Sequence, residues 1–313
     1  MSSFLKMTIH QQLIKQLILF FDINGTIISS DAVQGKTVQD SVNQLLAERY
    51  SGNWAGLKAP LSYRDFIDHY LCQGSHLDEK LKKQREQHYS GFLGFLRKNK
   101  RHFANILLEV ENTYDQALSI LKDDDLFPSF LKLLQYLKQE KITYTLILRT
   151  FGGDIAVVKK KLQDNAVAKL EIISEGLFKA SSLYIDNNVL NSSQEILQYI
   201  KPDQHMAWQD DFDHWKNHQK TFAYGKPFPI DFDNPHTLSI FFDDNAIKKQ
   251  IIAIQPTSSA VTNQWEIQQV LLNKGIILEV DTLEAILDED YYIKHLEKVL
   301  EKKRQGQLQW CSC

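Results

Sequence analysis

Cysteine is nearly missing from this chain, with three residues at Cys72, Cys311 and Cys313. That number and spacing exclude a disulfide framework and a zinc constellation, and point to a reducing compartment. With 13 Gly and 7 Pro in 313 residues, collagen-like and proline-rich linker architectures fail as well. Neither sign of charge dominates. The 36 basic residues nearly cancel the 39 acidic ones, for a net charge of -3, so no nucleic-acid partner is expected. The longest apolar run, residues 17–21, breaks at Asp22, far short of the ~20 residues a membrane span needs. Residues 1–7 lack the basic start, long apolar core and cleavage site of a secretory signal. The expectation is a soluble, cytoplasmic protein.

What is present is ordinary globular composition, 43% apolar and 24% charged. At roughly 100–200 residues per domain, the length allows one large domain or two modest ones. Three continuous apolar runs, at 17–21, 144–148 and 238–242, read as parallel strands covered on both faces. Weaker strand candidates lie at 170–173, 251–254 and 276–280. Helical patterns at 130–139 and 154–162 alternate with them, which predicts an α/β fold with a mostly parallel sheet. Between the first two strong strands lie about a hundred residues that read as helices, at 38–50, 63–71, 78–95 and 103–121. The expected organisation is a discontinuous core, 1–34 and 125–313, interrupted by a helical cap at 35–124.

Ligands of an open parallel sheet bind at the carboxyl ends of its strands. Here those ends carry Asp22-Ile23-Asn24-Gly25-Thr26, then Arg149-Thr150-Phe151-Gly152-Gly153-Asp154, then Asp243-Asp244-Asn245, with Gly225-Lys226-Pro227 upstream of the last. Carboxylates for a divalent cation, a hydroxyl and backbone N–H groups for an anion, and a lysine for charge suit phosphoryl transfer.

The order strand–DxNGT, strand–Thr, GK and strand–DD resembles the haloacid dehalogenase-like (HAD) superfamily. The likeness covers both ends of the chain and leaves the helical block in the position of a C1-type cap. It implies a Rossmann-like core and Mg²⁺-dependent phosphatase chemistry through an aspartyl-phosphate. Asp22 matches the nucleophile and Thr150 the hydroxyl that binds a phosphoryl oxygen. Lys226 resembles the third-motif lysine, with Lys216 and Lys220 as competitors. Asp243 and Asp244 match the acidic pair that holds Mg²⁺, a hard cation suited to oxygen ligands. Asn24 would add its backbone carbonyl, and Gly25, Thr26, Arg149 and Gly152 stand in phosphate-binding positions, although Arg149 reads equally as a structural salt bridge or as a bidentate contact to phosphate. Dehalogenase chemistry ranks lower, because an acidic pair favours a metal that carbon attack does not need.

Asn24 departs from the family pattern, which usually has a second aspartate there to protonate the leaving oxygen and then activate water. An amide cannot exchange that proton. Three outcomes stay open: an active enzyme on substrates with good leaving groups, such as aryl phosphates and phosphotyrosine; a slow enzyme or transferase; or a catalytically weak protein that binds a phosphorylated partner. No Cys-x5-Arg loop is present, which counts against a cysteine-dependent phosphotyrosine phosphatase.

Two basic groups complete the reading. Lys82, Lys83, Arg85, Arg97, Lys98, Lys100 and Arg101 lie in the expected cap and read as a solvated face or a cationic surface. Residues 290–313 read as a basic amphipathic tail, with a helix over 293–303 and then Trp310-Cys311-Ser312-Cys313, a pattern suited to a membrane surface. Its Cys-x-Cys ending resembles the prenylated tail of Rab-type small GTPases. The region 203–220, rich in His, Asp and Trp, reads as a polar surface helix and not as a zinc site.

Overall fold

The computed structural model describes residues 14–29, 35–75, 78–122, 125–166, 168–258 and 263–308. They fall into two units, 1–27 with 128–281 and 288–313, and 28–127 with 282–287. In chain order the strands are β1 (Gln16–Asp22), β2 (Ser51–Gly52), β3 (Leu61–Ser62), β4 (Tyr144–Thr150), β5 (Ser174–Lys179) and β6 (Ser182–Ile185). They continue with β7 (Asn188–Leu190), β8 (Met206–Gln209), β9 (Lys226–Ile230), β10 (Thr237–Asp243), β11 (Ile252–Pro256) and β12 (Ile277–Glu279).

The first unit is built on an eight-stranded sheet of order β12-β10-β1-β4-β8-β5-β6-β7. The pairs from β12 through β5 are parallel, and only β5-β6-β7 run antiparallel. The apolar runs of β1, β4 and β10 lie at its centre because both faces are covered, so no polar alternation is needed. On one face Phe20 and Phe241 meet Phe228 of β9, with ring centroids 5.4 Å apart in each case. On the other, Phe21 stacks on Phe242 at 4.3 Å and meets Phe130 and Tyr292. Burying a ring of that size is worth roughly 1.5–3 kcal/mol, so this aromatic layer anchors the register of β1 against β10.

Several expectations change. Residues 170–173 form no strand; the Leu170 N–H bonds back to the Leu162 carbonyl of the preceding helix, and β5 begins at Ser174. The 251–254 candidate is a strand, but it pairs with β9 in a separate two-stranded parallel sheet. The region 203–220 holds the buried strand β8 before its helix, Phe212–Asn217.

The second unit is helical, as the sequence pattern implies. Its helix Val38–Arg49 starts where Thr37 and Asp40 form a reciprocal capping box, satisfying backbone donors that a helix start leaves unpaired. Trp54 centres its core among Tyr63, Phe92, Phe95 and Phe103, and the indole N–H donates to the Leu61 carbonyl at 2.7 Å. A short antiparallel pair, β2 and β3, also lies here. The helix Thr282–Leu287 belongs to this unit although it comes from the far end of the chain. Arg85 is no surface cation: it is buried, pairs with Asp68 at 3.3 Å and donates to the Cys72 and Gly74 carbonyls.

The basic C-terminal helix exists as Tyr291–Arg304, but its apolar side is not open to a bilayer. Tyr292, Leu296, Val299 and Leu300 are buried, packed with the helix Pro128–Gln139 of the same unit. The apolar face on which membrane docking was expected is thus part of the core. Trp310, Cys311 and Cys313 lie outside the described residues. Among the described residues no helix is long and apolar enough to cross a membrane.

Candidate active site

Three adjacent parallel strands, β10, β1 and β4, end side by side, and this brings Asp243, Asp22 and Thr150 to one edge of the sheet. The chain then leaves β1 through a turn closed by Ile27 N–H on the Ile23 carbonyl at 2.9 Å. Gly25 sits in that turn at φ +75°, where a Cβ would stand 2.7 Å from the Asp244 Oδ2. Both the backbone and the space therefore require glycine. Thr26 accepts the Asp244 N–H on its Oγ1 at 3.2 Å, and the Tyr292 hydroxyl donates to the Thr26 carbonyl. The first bond locks the turn after β1 to the turn after β10, and the second ties it to the helix Tyr291–Arg304.

Lys226 is no turn residue. It opens β9, whose first N–H donates to the Ile251 carbonyl at 2.6 Å. That approach depends on Gly225, where a Cβ would fall 2.0 Å from the Ile251 oxygen. The buried ammonium of Lys226 donates to Asp22 Oδ1 and, at 2.7 Å, to Asp243 Oδ2. Its competitors lie elsewhere: Lys216 is exposed, and the Lys220 ammonium rests over the Trp215 ring at 5.6 Å.

Asp22, Asp243 and Asp244 each place a carboxylate oxygen within 4.8 Å of the others. Burial is the largest influence on Asp22 and pushes its carboxyl well above the ordinary value; Lys226 pulls it down, while Asp243 and Asp244 push with burial. Burial, then Asp243, raise Asp244 to about 7. Burial opposes the charge on Lys226, but Asp22, Asp243 and Asp210 together hold its value above the ordinary one. A lysine favoured as the cation beside an aspartate favoured as the acid is consistent only if carboxylates outnumber ammonium groups here, and they do. The cluster holds more negative charge than its one lysine offsets.

Asn24 extends the site toward β4. Its Nδ2 donates to Asp154 Oδ2 at 2.8 Å, which fixes the amide orientation because the reverse would set two acceptors together. The Asn24 Oδ1 is then buried with no hydrogen-bond partner among the described residues, a costly arrangement for a polar atom. Asp154 precedes the helix Ile155–Asp164 but makes no side-chain cap bond there. Sequence reasoning passed over this residue, because its position alone looks like ordinary capping. Thr150 is buried and accepts the Gly152 N–H on its Oγ1 at 2.9 Å.

Arg149 requires a correction. Its side chain is fully buried, with Nε donating to Asp210 Oδ2 at 3.2 Å, Nη2 to Asp210 Oδ1, and Nη1 to the Pro227 carbonyl at 2.7 Å. The rings of Phe178 and Trp208 lie 5.0 and 5.3 Å from the guanidinium carbon. Of its two readings the structure shows the salt bridge and not the phosphate contact: Asp210 is the bidentate partner, and the bond to Pro227 ties β4 to β9. Among the described residues no histidine joins a metal-like cluster; His205 accepts the Leu146 N–H on Nδ1 at 3.1 Å.

The donor set fits a hard divalent cation. Three convergent carboxylates share one ammonium, and every donor among them is oxygen. Comparison with known proteins leaves this geometry to speak for itself, since no family model, no curated protein and no solved structure matches the chain.

Proposed function

We propose that this chain is a Mg²⁺-dependent phosphohydrolase of the HAD-like kind, with Asp22 as the nucleophile. The observation that carries the reading is the convergence of buried Asp22 and Asp243 and half-buried Asp244 around Lys226 at the carboxyl ends of β1 and β10. Mg²⁺ held by these carboxylates and the Asn24 backbone carbonyl would favour their ionised forms and draw electron density from the phosphoryl oxygens. An Asp22 oxygen attacks phosphorus as the bond to the leaving oxygen breaks, giving an aspartyl-phosphate; water then attacks that phosphorus and releases Asp22. Lys226 opposes the burial and the neighbouring carboxylates that raise Asp22, so it favours the ionised nucleophile; it also offsets phosphate charge, and the Thr150 hydroxyl holds a phosphoryl oxygen. The helical unit stands in sequence where the resemblance puts a cap.

Asn24 restricts the leaving group. Its amide is committed to Asp154 and has no proton to give. A phenolate, with a reference pKa of about 10, leaves without that help far more readily than an alkoxide. The substrates proposed are therefore phosphorylated small molecules with aryl leaving groups, or phosphotyrosine, met in the cytoplasm. The same amide favours a second reading, a protein that binds phosphate with little turnover. Hydrolysis of phenyl and methyl phosphate with Mg²⁺, by wild type and Asp22→Asn, tests both. Turnover that is aryl-selective and lost in Asp22→Asn supports the enzyme; phosphate binding without turnover supports the second reading.

A further inference from the structure

Phe151 follows Thr150 directly and is only partly buried. Its ring centroid lies 5.4 Å from Lys226 Nζ, the atom that donates to Asp22. The ring is therefore a neighbour of the proposed nucleophile and not a remote core residue. Trp215 stacks against it at 5.3 Å with the planes 14° apart, and Trp215 is buried. Phe212 meets the same ring edge-on at 5.7 Å and stands 39% exposed. The three form a continuous aromatic wall, with Trp215 its buried backing and Phe212 its outer end. Single exposed aromatic residues need no explanation, but one that continues a ring from the lysine of a phosphoryl site does.

We propose that Phe151 and Phe212, backed by Trp215, form the binding wall for the leaving group, and that the substrate is an aryl phosphate monoester. This rests on the phosphohydrolase reading above and adds the residues that select the substrate. A sugar or other polyol would need hydrogen-bonding side chains at this place. The wall offers ring faces and edges, which favour offset or edge-on contact with another ring. It also complements Asn24: the site lacks a proton for an alkoxide and presents a surface for the group that does not need one.

The test uses the wild-type protein with Mg²⁺ and ligands that cannot turn over, phenylphosphonate and methylphosphonate, by calorimetric titration. Two ring contacts predict about fivefold to a hundredfold tighter binding of the phenyl compound. Phe212→Ala, at an exposed position, and Phe151→Leu, which keeps apolar volume without the ring, should each shrink that ratio toward one. A short peptide carrying phosphonomethylphenylalanine separates the sources. Binding comparable to phenylphosphonate assigns the aryl group to a protein tyrosine, and much weaker binding assigns it to a free ester; both agree with the wall. Equal affinity for phenyl- and methylphosphonate overturns the wall alone, as does a ratio that survives both substitutions. Binding of neither overturns the phosphoryl-site reading and the wall with it.

Discussion

Replacing Lys226 by methionine removes one charge and keeps most of the apolar stem, so the effect reports on the ion cluster and not on packing. The side chain is 2% exposed and donates to Asp22 and Asp243, which are themselves 7% and 0% exposed. Breaking a buried pair from one side typically costs about 3–5 kcal/mol, because the remaining charge is left uncompensated. Here two carboxylates lose their shared partner, which places the expected loss toward the upper part of that range. The pH dependence has a definite sign. Burial already raises the Asp22 carboxyl, and removing the ammonium removes the main influence opposing that shift. A carboxyl raised above its unfolded value contributes stability that is present at low pH and lost as pH rises through the folded value. The gap between wild type and Lys226→Met, measured by urea denaturation, should therefore narrow from about pH 8 to about pH 5. A loss under about 1 kcal/mol, the level of a surface pair, or a gap that does not change with pH, would refute the buried cluster.

Three further outcomes follow from the geometry. Gly225→Ala sets a methyl group 2.0 Å from the Ile251 carbonyl oxygen, and overpacking of this kind costs roughly 1–3 kcal/mol; it should also lower activity by displacing Lys226, and unchanged stability and rate would contradict the close approach. His205 has its value lowered chiefly by burial and accepts the Leu146 N–H, so its contribution to stability is present above about pH 6.5 and lost as pH falls. His205→Asn should flatten the stability profile below that pH, and an unaltered slope contradicts the assignment. Asn24→Asp supplies a general acid, a group worth about 10²–10⁴ in rate, but sets it against Asp154, where the amide now donates at 2.8 Å. Asn24→Asp with Asp154→Asn should therefore raise methyl phosphate hydrolysis more than Asn24→Asp alone, and equal rates for the two would show that Asp154 does not matter there.

The sequence carried the centre of the sheet plainly. β1, β4 and β10 are buried on both faces, so their burial requirement is written as unbroken apolar runs. The antiparallel extension was not legible in that way. β5 alternates buried and exposed positions as Ser-Glu-Gly-Leu-Phe-Lys, the pattern of a strand with one solvated face. A local signal did exist in Asp186-Asn187, which take positive φ between β6 and β7, as a tight hairpin turn requires. The site divides along the same line. Asp22, Thr150 and Asp243 end their strands and Asp244 follows one directly, so finding the strands finds them. Lys226 was marked by a short motif, but its place in β9 depends on Ile251, 25 positions away in sequence. Asp210, Asp154 and the aromatic wall are set by tertiary neighbours, and Arg149 stays ambiguous in sequence because the buried carboxylate that engages it lies 61 residues further on.

The central claim is that Asp22 becomes phosphorylated. Acid quenching of the protein during turnover of phenyl phosphate with Mg²⁺, followed by peptide mass spectrometry, tests it most directly. One phosphoryl group is expected on the peptide containing Asp22, removable by hydroxylamine and absent from Asp22→Asn. Undiminished hydrolysis by Asp22→Asn, or turnover with the phosphoryl group on another residue, would contradict it.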